Sequence, residues 1–292
     1  MIKKLILGLI ISTLPLILSA QDSPAYKLYN ESGDPVPFGE MLEEISKSDI
    51  TFFGELHGNP VSHWMEYEVA KALYEYHGED LILGAEMFER DQQLVLDEYT
   101  SGVIPREKFE EATHFWPNYK SDYRKLVDFA AENEIRFVAT NVPRRYASIV
   151  FNNGLEALDD MGESAKKLLP PLPIPYDPSV RTYQKMKDMD QMGPMQKPNP
   201  NFPKAQALKD ATMAYTIANA IDEGEHMLHF NGAFHSEHNG GIIWYLMHYK
   251  DGLDKTSITT VVQEDVSELE ESNEGKADFI IVVDEDMSGS DE

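Results

Sequence analysis

Short apolar runs alternate with longer segments of helical spacing along most of this 292-residue chain, and this alternation limits the possible folds more than any other feature. The runs are bounded by turn residues, as β-strands are. The predicted strands are residues 50–53, 81–83, 136–140, 226–230 and 258–262, with residues 279–283 as a last strand at the sheet edge. Strand–helix alternation with short connections predicts an α/β fold, in which helices cover both faces of a mostly parallel sheet.

The N-terminal residues have the three-part layout of a secretory signal peptide. Lys3 and Lys4 precede an apolar run over residues 5–18, which is followed by small residues. This run is too short to span a bilayer well, and it contains Pro15. We therefore expect residues 1–20 to be removed and the mature protein to be exported without stable insertion in a membrane.

The charge balance excludes several classes of partner. The chain has 51 acidic and 25 basic residues, which argues against binding to nucleic acid or to an anionic membrane surface. It has no cysteine, so disulfides, thiolate metal sites and a lipidated N-terminal anchor are excluded. The expected location is the periplasm or the extracellular medium, and the protein is not expected to be a lipoprotein.

One segment interrupts the alternation of strands and helices. Residues 164–209 carry nine of the 17 prolines, and their eight basic and three acidic residues give a net charge of +5. We predict a helical insert at about residues 164–204 that stands off the sheet. A basic segment in an acidic chain favours an anionic small ligand, although the lysines could simply balance the acidic body.

The remaining boundaries follow from these two segments. The predicted parts are a signal peptide (1–20), an N-terminal extension (21–47), an α/β domain with its insert (48–263) and an acidic C-terminal segment (264–292). The last of these is expected to be a solvated tail around the possible edge strand, because it contains twelve acidic residues and one lysine.

A paired arrangement of glycine and histidine follows two of the predicted strands. Residues 54–57 (GELH) and 232–235 (GAFH) each place a glycine that permits a tight turn at a strand end, with an imidazole before the next helix. His63 lies beyond the first copy and is expected to support it. Because the carboxyl ends of parallel strands share one edge, other strand ends contribute to the same crevice. The side chains predicted to gather there are Glu55, His57, Glu86, Asn141, Arg144 and His235.

Such a set of side chains is suited to two kinds of chemistry. His57, His235, Glu55 and Glu86 are suitable ligands for a first-row divalent metal ion, which could activate water for hydrolysis. Alternatively, the histidines and Glu86 could act as a metal-free acid–base pair, with Arg144 stabilising an oxyanion. A purely structural cluster of hydrogen-bonded groups is the third interpretation.

Methionines recur at every third residue of the predicted insert. Met186, Met189, Met192 and Met195 form a stripe on a helix, and Tyr183 precedes them. The stripe could pack against the following helix, bind copper(I) through thioethers, or form one wall of a haem site. The positive charge of the segment favours haem over the copper cation. The predicted haem contacts are Tyr183 or Tyr176 to iron, Arg181 and Lys185 to the propionates, and Met186 and Met189 along the ring.

Several of these runs together resemble the ChaN-like iron-regulated haem-binding proteins. The matching runs, in the order of the family, are residues 54–60 (GELHGNP), 86–88 (EMF), 141–144 (NVPR), 205–206 (AQ), 210–214 (DATMA) and 232–235 (GAFH). The resemblance extends over about residues 48–262. It implies an α/β fold with a helical insert, export to the cell envelope, and haem binding linked to iron uptake.

The same resemblance leaves the choice between a binding protein and an enzyme open. The paired G-x-x-H also occurs in the wider superfamily of Tiki-type proteases and TraB proteins, some of which are metal-dependent hydrolases. Members of the ChaN-like family are often lipoproteins, and the absence of cysteine departs from that pattern. An exposed wall of methionine and tyrosine would also favour pairing of two protomers around haem.

Overall fold

One seven-stranded sheet forms the centre of the computed structural model, which describes residues 24–192 and 198–287. The strands are β1 (Tyr26–Asn30), β2 (Ile50–Glu55), β3 (Leu81–Glu89), β4 (Arg136–Asn141), β5 (His226–Gly232), β6 (Lys255–Gln263) and β7 (Phe279–Asp284). Their order is β1-β7-β6-β2-β5-β3-β4. β1 pairs with β7 in the antiparallel direction, and every other neighbouring pair is parallel. The predicted α/β class with a mostly parallel sheet is confirmed.

Helices cover both faces of this sheet. They are α1 (Phe38–Ile45), α2 (Pro60–His77), α3 (Gln93–Thr100), α4 (Arg106–Ala112), α5 (Arg124–Glu132), α6 (Arg144–Asn153), α7 (Glu163–Lys166), α8 (Arg181–Met192), α9 (Phe202–Ala220) and α10 (Gly241–Tyr249). The first five pack on one face and the last five on the other. Successive strand side chains point to opposite faces, so Phe53 lies in the first core and Phe52 in the second.

The sequence specifies the start and end of α2 locally. The side chain of Asn59 accepts hydrogen bonds from the backbone N–H groups of Val61 and Ser62, and Pro60 occupies the first helical turn. The helix ends at Gly78, whose φ of +56° favours glycine. Both boundaries of this helix depend only on neighbouring residues, so the local sequence is sufficient to place them.

The predicted edge position of residues 279–283 is wrong. β7 lies inside the sheet between β1 and β6, and its residues from Ile280 to Val283 are fully buried. The reason is that the N-terminal extension contributes β1, which pairs outside β7. Tyr29 of β1 also donates a hydrogen bond to the Val266 carbonyl at 2.6 Å, so part of the acidic segment is packed rather than a solvated tail. Residues 288–292 lie outside the described part.

The proline-rich segment also packs differently from the prediction. Leu169, Ile174, Tyr183 and Met186 join the core between the sheet and α9, so the segment does not stand off the sheet. Burial of these apolar side chains is favourable at about 25 cal/mol per Å², which outweighs the tendency of a basic segment to remain solvated.

Some predicted features fall outside the described residues. They are the signal peptide at residues 1–20, the side chains of Met189 and Met192, and Met195 as a whole. Within residues 24–192 and 198–287, no helix is both long and apolar enough to cross a membrane.

Candidate functional site

The two glycine-containing turns meet at the carboxyl edge of the sheet. β2 and β5 are neighbouring parallel strands, and Glu55 pairs in register with Gly232. A Cβ atom on Gly232 would lie 2.8 Å from Nε2 of His57 and 3.6 Å from Oε2 of Glu86. The φ of Gly232 is −56°, which any residue adopts. The glycine therefore provides space for close approach, rather than the tight turn that its sequence position predicts.

His235 lies between two buried carboxylates. Its Nδ1 contacts Oδ1 of Asp210, and its Nε2 lies 3.2 Å from Oε1 of Glu86. Burial alone would lower the pKa of the imidazole, but the two carboxylates raise the pKa of His235 to about 10. Burial would raise the pKa of Glu86, but the imidazolium holds it well below its usual value. His235 and Glu86 therefore form a buried ion pair, and Asp210 contacts the other ring nitrogen of the histidine.

Backbone and amide groups fix the position of Glu86. The Gly232 N–H donates to Oε2 of Glu86 at 3.0 Å, and Nδ2 of Asn141 donates to the Glu86 carbonyl at 2.9 Å. Asn141 thus joins the predicted cluster by supporting the backbone of β3. Arg144 does not join it in the described structure, since its side chain is exposed at the start of α6 and its backbone N–H bonds to Glu89.

His57 is the solvent-facing member of the cluster. Its side chain is 50% exposed, its Nδ1 contacts Oε1 of Glu55, and its ring packs edge-on against Trp116. Burial of the ring lowers its pKa, but the hydrogen bond and negative charge of Glu55 outweigh burial and raise the pKa of His57. Tyr123 donates a second hydrogen bond to Oε1 of Glu55 at 2.7 Å, which fixes that carboxylate.

A second cluster, made of Glu55, His63 and Glu66, is connected to His57 through Glu55. Nδ1 of His63 is 3.0 Å from Oε2 of Glu66 and 3.5 Å from Oε2 of Glu55. Burial and the charge of Glu55 raise the pKa of Glu66 well above its usual value. Among the described residues, the set whose ligand atoms come close enough together to hold a metal ion is Glu55, His63 and Glu66. The predicted set of His57, His235, Glu55 and Glu86 is not assembled in this way.

The structure assigns Tyr183 a role in the core. Its side chain is 1% exposed, and its hydroxyl donates to Oδ2 of Asp210 at 2.7 Å. Burial and the charge of Asp210 raise the pKa of Tyr183 well above its usual value. Formation of a phenolate at this position is therefore unfavourable, and Tyr183 supports His235 through Asp210 instead of facing a ligand.

The other predicted haem contacts lie near the surface. Tyr176 is half-buried against the ring of Tyr183, and burial raises the pKa of its phenol. Arg181 and Lys185 are exposed, and Nζ of Lys185 lies 4.3 Å from the ring centroid of Phe234. Met186 is buried in the core. These residues do not form one continuous open wall in the described structure.

A groove lies on the face of the sheet that the proline-rich segment covers. Basic residues outnumber acidic ones in its lining, as they do in that segment. It has a volume of about 540 Å³ and is lined by three basic residues, one acidic residue, a tyrosine and an apolar run, namely Arg90, Lys166, Lys167, Asp159, Tyr215 and residues 169–172. A smaller cavity of about 260 Å³ shares Arg90 and Tyr215 with it. Nη1 of Arg90 is buried and has no hydrogen-bond partner among the described residues, and burial lowers the pKa of Arg90. The groove is suited to an anionic ligand.

Several residues of these sites were missed in the sequence. Asp210 and Tyr215 lie on the same helix, and neither follows a strand end or forms a spaced motif. Asp210 could have been noticed, because it belongs to the family-like residues 210–214. Arg90 follows β3 directly but carries no local signal that it lines a groove.

Comparisons with known proteins agree with this fold. The family described as haem-binding uptake, Tiki superfamily, ChaN matches residues 41–246. The structure of ChaN of Campylobacter jejuni with cofacial haem is 15% identical, covers 88% of this chain and 96% of its own, and has a TM-score of 0.68. A Bacillus cereus protein is 13% identical, covers 84% and 90%, and has a TM-score of 0.50. At these identities the structures establish a shared fold. No curated protein sequence matches.

Proposed function

The chain belongs to the haem-binding uptake family of the Tiki superfamily that includes ChaN, and we propose that it binds haem and takes part in haem or iron handling in the cell envelope. Membership of the family supplies the class of ligand. The signal-like residues 1–20 support export, either to the periplasm or to the medium. The proposed link to iron uptake and its regulation rests on the resemblance to the ChaN-like proteins.

The observation that carries haem binding is the basic groove beside the proline-rich segment. Its volume of about 540 Å³ is within the usual range for small-molecule sites. It combines a phenol, cationic side chains and the apolar surface of residues 169–172. These three features match what a haem site must provide, namely an axial ligand for iron, cationic partners for the propionates and an apolar surface for the macrocycle.

Individual residues of the groove fit haem. Tyr215 lines the groove together with Arg90, and its phenol oxygen is the proposed axial ligand to ferric iron. Arg90 has an unpartnered buried Nη1, and a propionate would satisfy it. Lys166 and Lys167 lie along the same wall and would bind the second propionate. When bound, haem supplies a ferric centre that accepts an oxygen ligand.

Pairing of two protomers is part of this proposal. The Campylobacter jejuni ChaN structure contains haem bound cofacially, which means that haem groups face each other. Two copies of this chain with their grooves facing would give the same arrangement. We expect hemin to shift the protein from monomer to dimer in analytical ultracentrifugation.

Hemin titration of the purified mature chain tests the proposal. Wild-type protein is expected to bind hemin and to give the visible absorbance of tyrosinate-ligated ferric haem. Tyr215→Phe should lose that absorbance, and Arg90→Gln should weaken hemin binding at least about tenfold, because the loss of one charge-assisted hydrogen bond costs about 1.5–3 kcal/mol. Tyr76→Phe is the matched control, since Tyr76 is exposed on α2.

Three results distinguish the alternatives. An absence of hemin binding by wild-type protein would reject the function. If hemin binding is unchanged in Tyr215→Phe but altered in Tyr176→Phe, the iron ligand is Tyr176 and the groove residue Tyr215 is not involved. Binding that is unchanged in both variants and in Arg90→Gln would reject the groove.

Hydrolysis at the paired G-x-x-H residues is the second candidate function. It is favoured by the half-exposed imidazole of His57, which Glu55 orients and which lies beside the buried Glu86. His57 could act as a general base towards a substrate at this edge. Ester or peptide hydrolysis that is lost in His57→Gln, with hemin binding unchanged, would support an enzyme. An absence of hydrolysis in wild-type protein, with and without added divalent metals, would reject it.

A further inference from the structure

An acidic cluster on the face opposite the groove has the donor set of a metal site. Glu55 ends β2, while His63 and Glu66 lie three residues apart on the first turns of α2, so their side chains share one face of that helix. All of the ligand atoms offered by these three residues lie within 4.8 Å of one another. The cluster packs with α2 and α5, whereas the groove lies among α7 and α9, and the two sites are therefore separate.

The carboxylates of this cluster are buried without enough partners. Glu66 is 0% exposed and Glu55 is 1% exposed. Oε1 of Glu66 and Oε2 of Glu55 receive no hydrogen bond from a nitrogen or hydroxyl donor in the described part of the chain, and the two carboxyl groups lie within hydrogen-bonding distance of each other. Within that part, neither carboxylate forms an ion pair with a lysine or arginine. Burying two carboxylates side by side costs several kcal/mol unless a proton or a cation compensates them. His57 and Tyr123 contact Oε1 of Glu55, whereas His63 is the histidine that lies near Oε2 of both glutamates.

The distances within the cluster agree with a coordination shell. Nδ1 of His63 lies 3.0 Å from Oε2 of Glu66 and 3.5 Å from Oε2 of Glu55. Ligands at about 2.0–2.1 Å from a tetrahedral zinc ion lie roughly 3.3 Å apart, which is between these two values. A single proton on Nδ1 makes a good hydrogen bond to one oxygen only, whereas a metal ion would bind all three atoms.

Neighbouring residues orient these ligands. Tyr123 donates to Oε1 of Glu55 at 2.7 Å, which leaves Oε2 turned towards His63. Nε2 of His63 lies 3.2 Å from Oδ2 of Asp122, to which a proton on Nε2 would be donated, and this tautomer leaves the lone pair of Nδ1 facing the carboxylates. Protein metal sites depend on this kind of outer support to fix ring orientation.

We propose that Glu55, His63 and Glu66 form a binding site for a divalent first-row cation such as Zn²⁺ or Mn²⁺. One nitrogen and two carboxylate oxygens leave one or more coordination positions for water. The site lies next to His57 through the shared Glu55, so a bound cation would fix the carboxylate that orients the solvent-facing imidazole.

Metal binding by the full mature chain tests this site. Protein stripped with a chelator is titrated with Zn²⁺ and separately with Mn²⁺ by calorimetry, and the bound metal is counted by elemental analysis. We expect a single equivalent and a higher melting temperature with metal than without, because the cation binds the folded state. Glu66→Gln should weaken binding at least about tenfold and abolish the thermal shift.

Control variants identify the location of the bound cation. Glu75→Gln changes an exposed glutamate on the same helix and should bind metal as wild type does. His63→Gln provides a second variant should Glu66→Gln fold poorly by circular dichroism. Wild-type protein that binds neither ion would overturn the proposal. So would wild-type affinity in both Glu66→Gln and His63→Gln, since the cation would then lie elsewhere. Hemin binding is independent of either result.

Discussion

Glu86 on β3 places Oε1 3.2 Å from Nε2 of His235, and both side chains are buried. This ion pair joins two strand ends that are far apart in the chain. Asp210 of α9 completes it on the other ring nitrogen, and Tyr183 fixes Asp210 in turn. The second G-x-x-H histidine is therefore part of a buried support, while His57 of the first copy faces solvent. Two copies of one motif thus have different roles.

The pKa of His235 predicts how stability changes with pH. The folded protein binds a proton that the unfolded chain releases above about pH 6.5, because the folded-state pKa is raised to about 10. This stabilisation is complete below pH 6.5 and is lost as the pH rises to 10, with a slope of up to about 1.4 kcal/mol per pH unit. Urea unfolding of the apo protein between pH 6.5 and 10 measures it. His235→Gln should have a flatter profile, and equal slopes would contradict the ion pair.

Two glycine-to-alanine changes should shift the free energy of unfolding in opposite directions. Gly232→Ala places a methyl group 2.8 Å from Nε2 of His57, so overpacking should destabilise the fold by about 1–3 kcal/mol and displace the imidazole. Gly39→Ala lies in α1 with open space around it, and should stabilise the protein by about 0.5–1 kcal/mol. Chemical denaturation measures both. A neutral Gly232→Ala would show that the two turns do not pack so closely.

Tyr183→Phe separates a structural role from ligand binding. Loss of its hydroxyl leaves Oδ2 of the buried Asp210 without this donor, which should cost about 1–3 kcal/mol of stability. The visible spectrum of the hemin complex should not change. A changed spectrum with unchanged stability would restore Tyr183 as an iron ligand.

Arg90→Leu should improve stability while it weakens binding. Removing a half-buried guanidinium with an unpartnered Nη1 should leave the apo protein as stable as wild type, or stabler by about 1 kcal/mol. Hemin affinity should fall at least about tenfold, because a propionate partner is lost. Melting curves and hemin titration of the same sample measure the two effects. Strong destabilisation without loss of affinity would mean that Arg90 is a core residue rather than a binding residue.

Local patterns in the sequence were sufficient for much of the fold. The apolar runs predict the positions of β2 to β7 but not that of β1, and Asn59, Pro60 and Gly78 determine where α2 begins and ends. The G-x-x-H turns could be assigned to strand ends because strand ends and turns are specified by adjacent residues. The gathering of Glu55, His57, Glu86 and His235 at one edge then follows from the geometry of any parallel sheet.

Contacts between distant parts of the chain could not be predicted from local sequence patterns. Whether β7 or β1 forms the edge depends on which segment pairs outside it, and the assignment of Asp210 to His235 depends on how α9 packs. The sequence by itself thus determined the class of fold, the residues at the strand ends and the family. Tertiary structure alone decided that Tyr183 is a core residue, that Glu55 lies beside His63 and that Arg90 meets Tyr215, because burial and charge compensation are properties of the assembled layers.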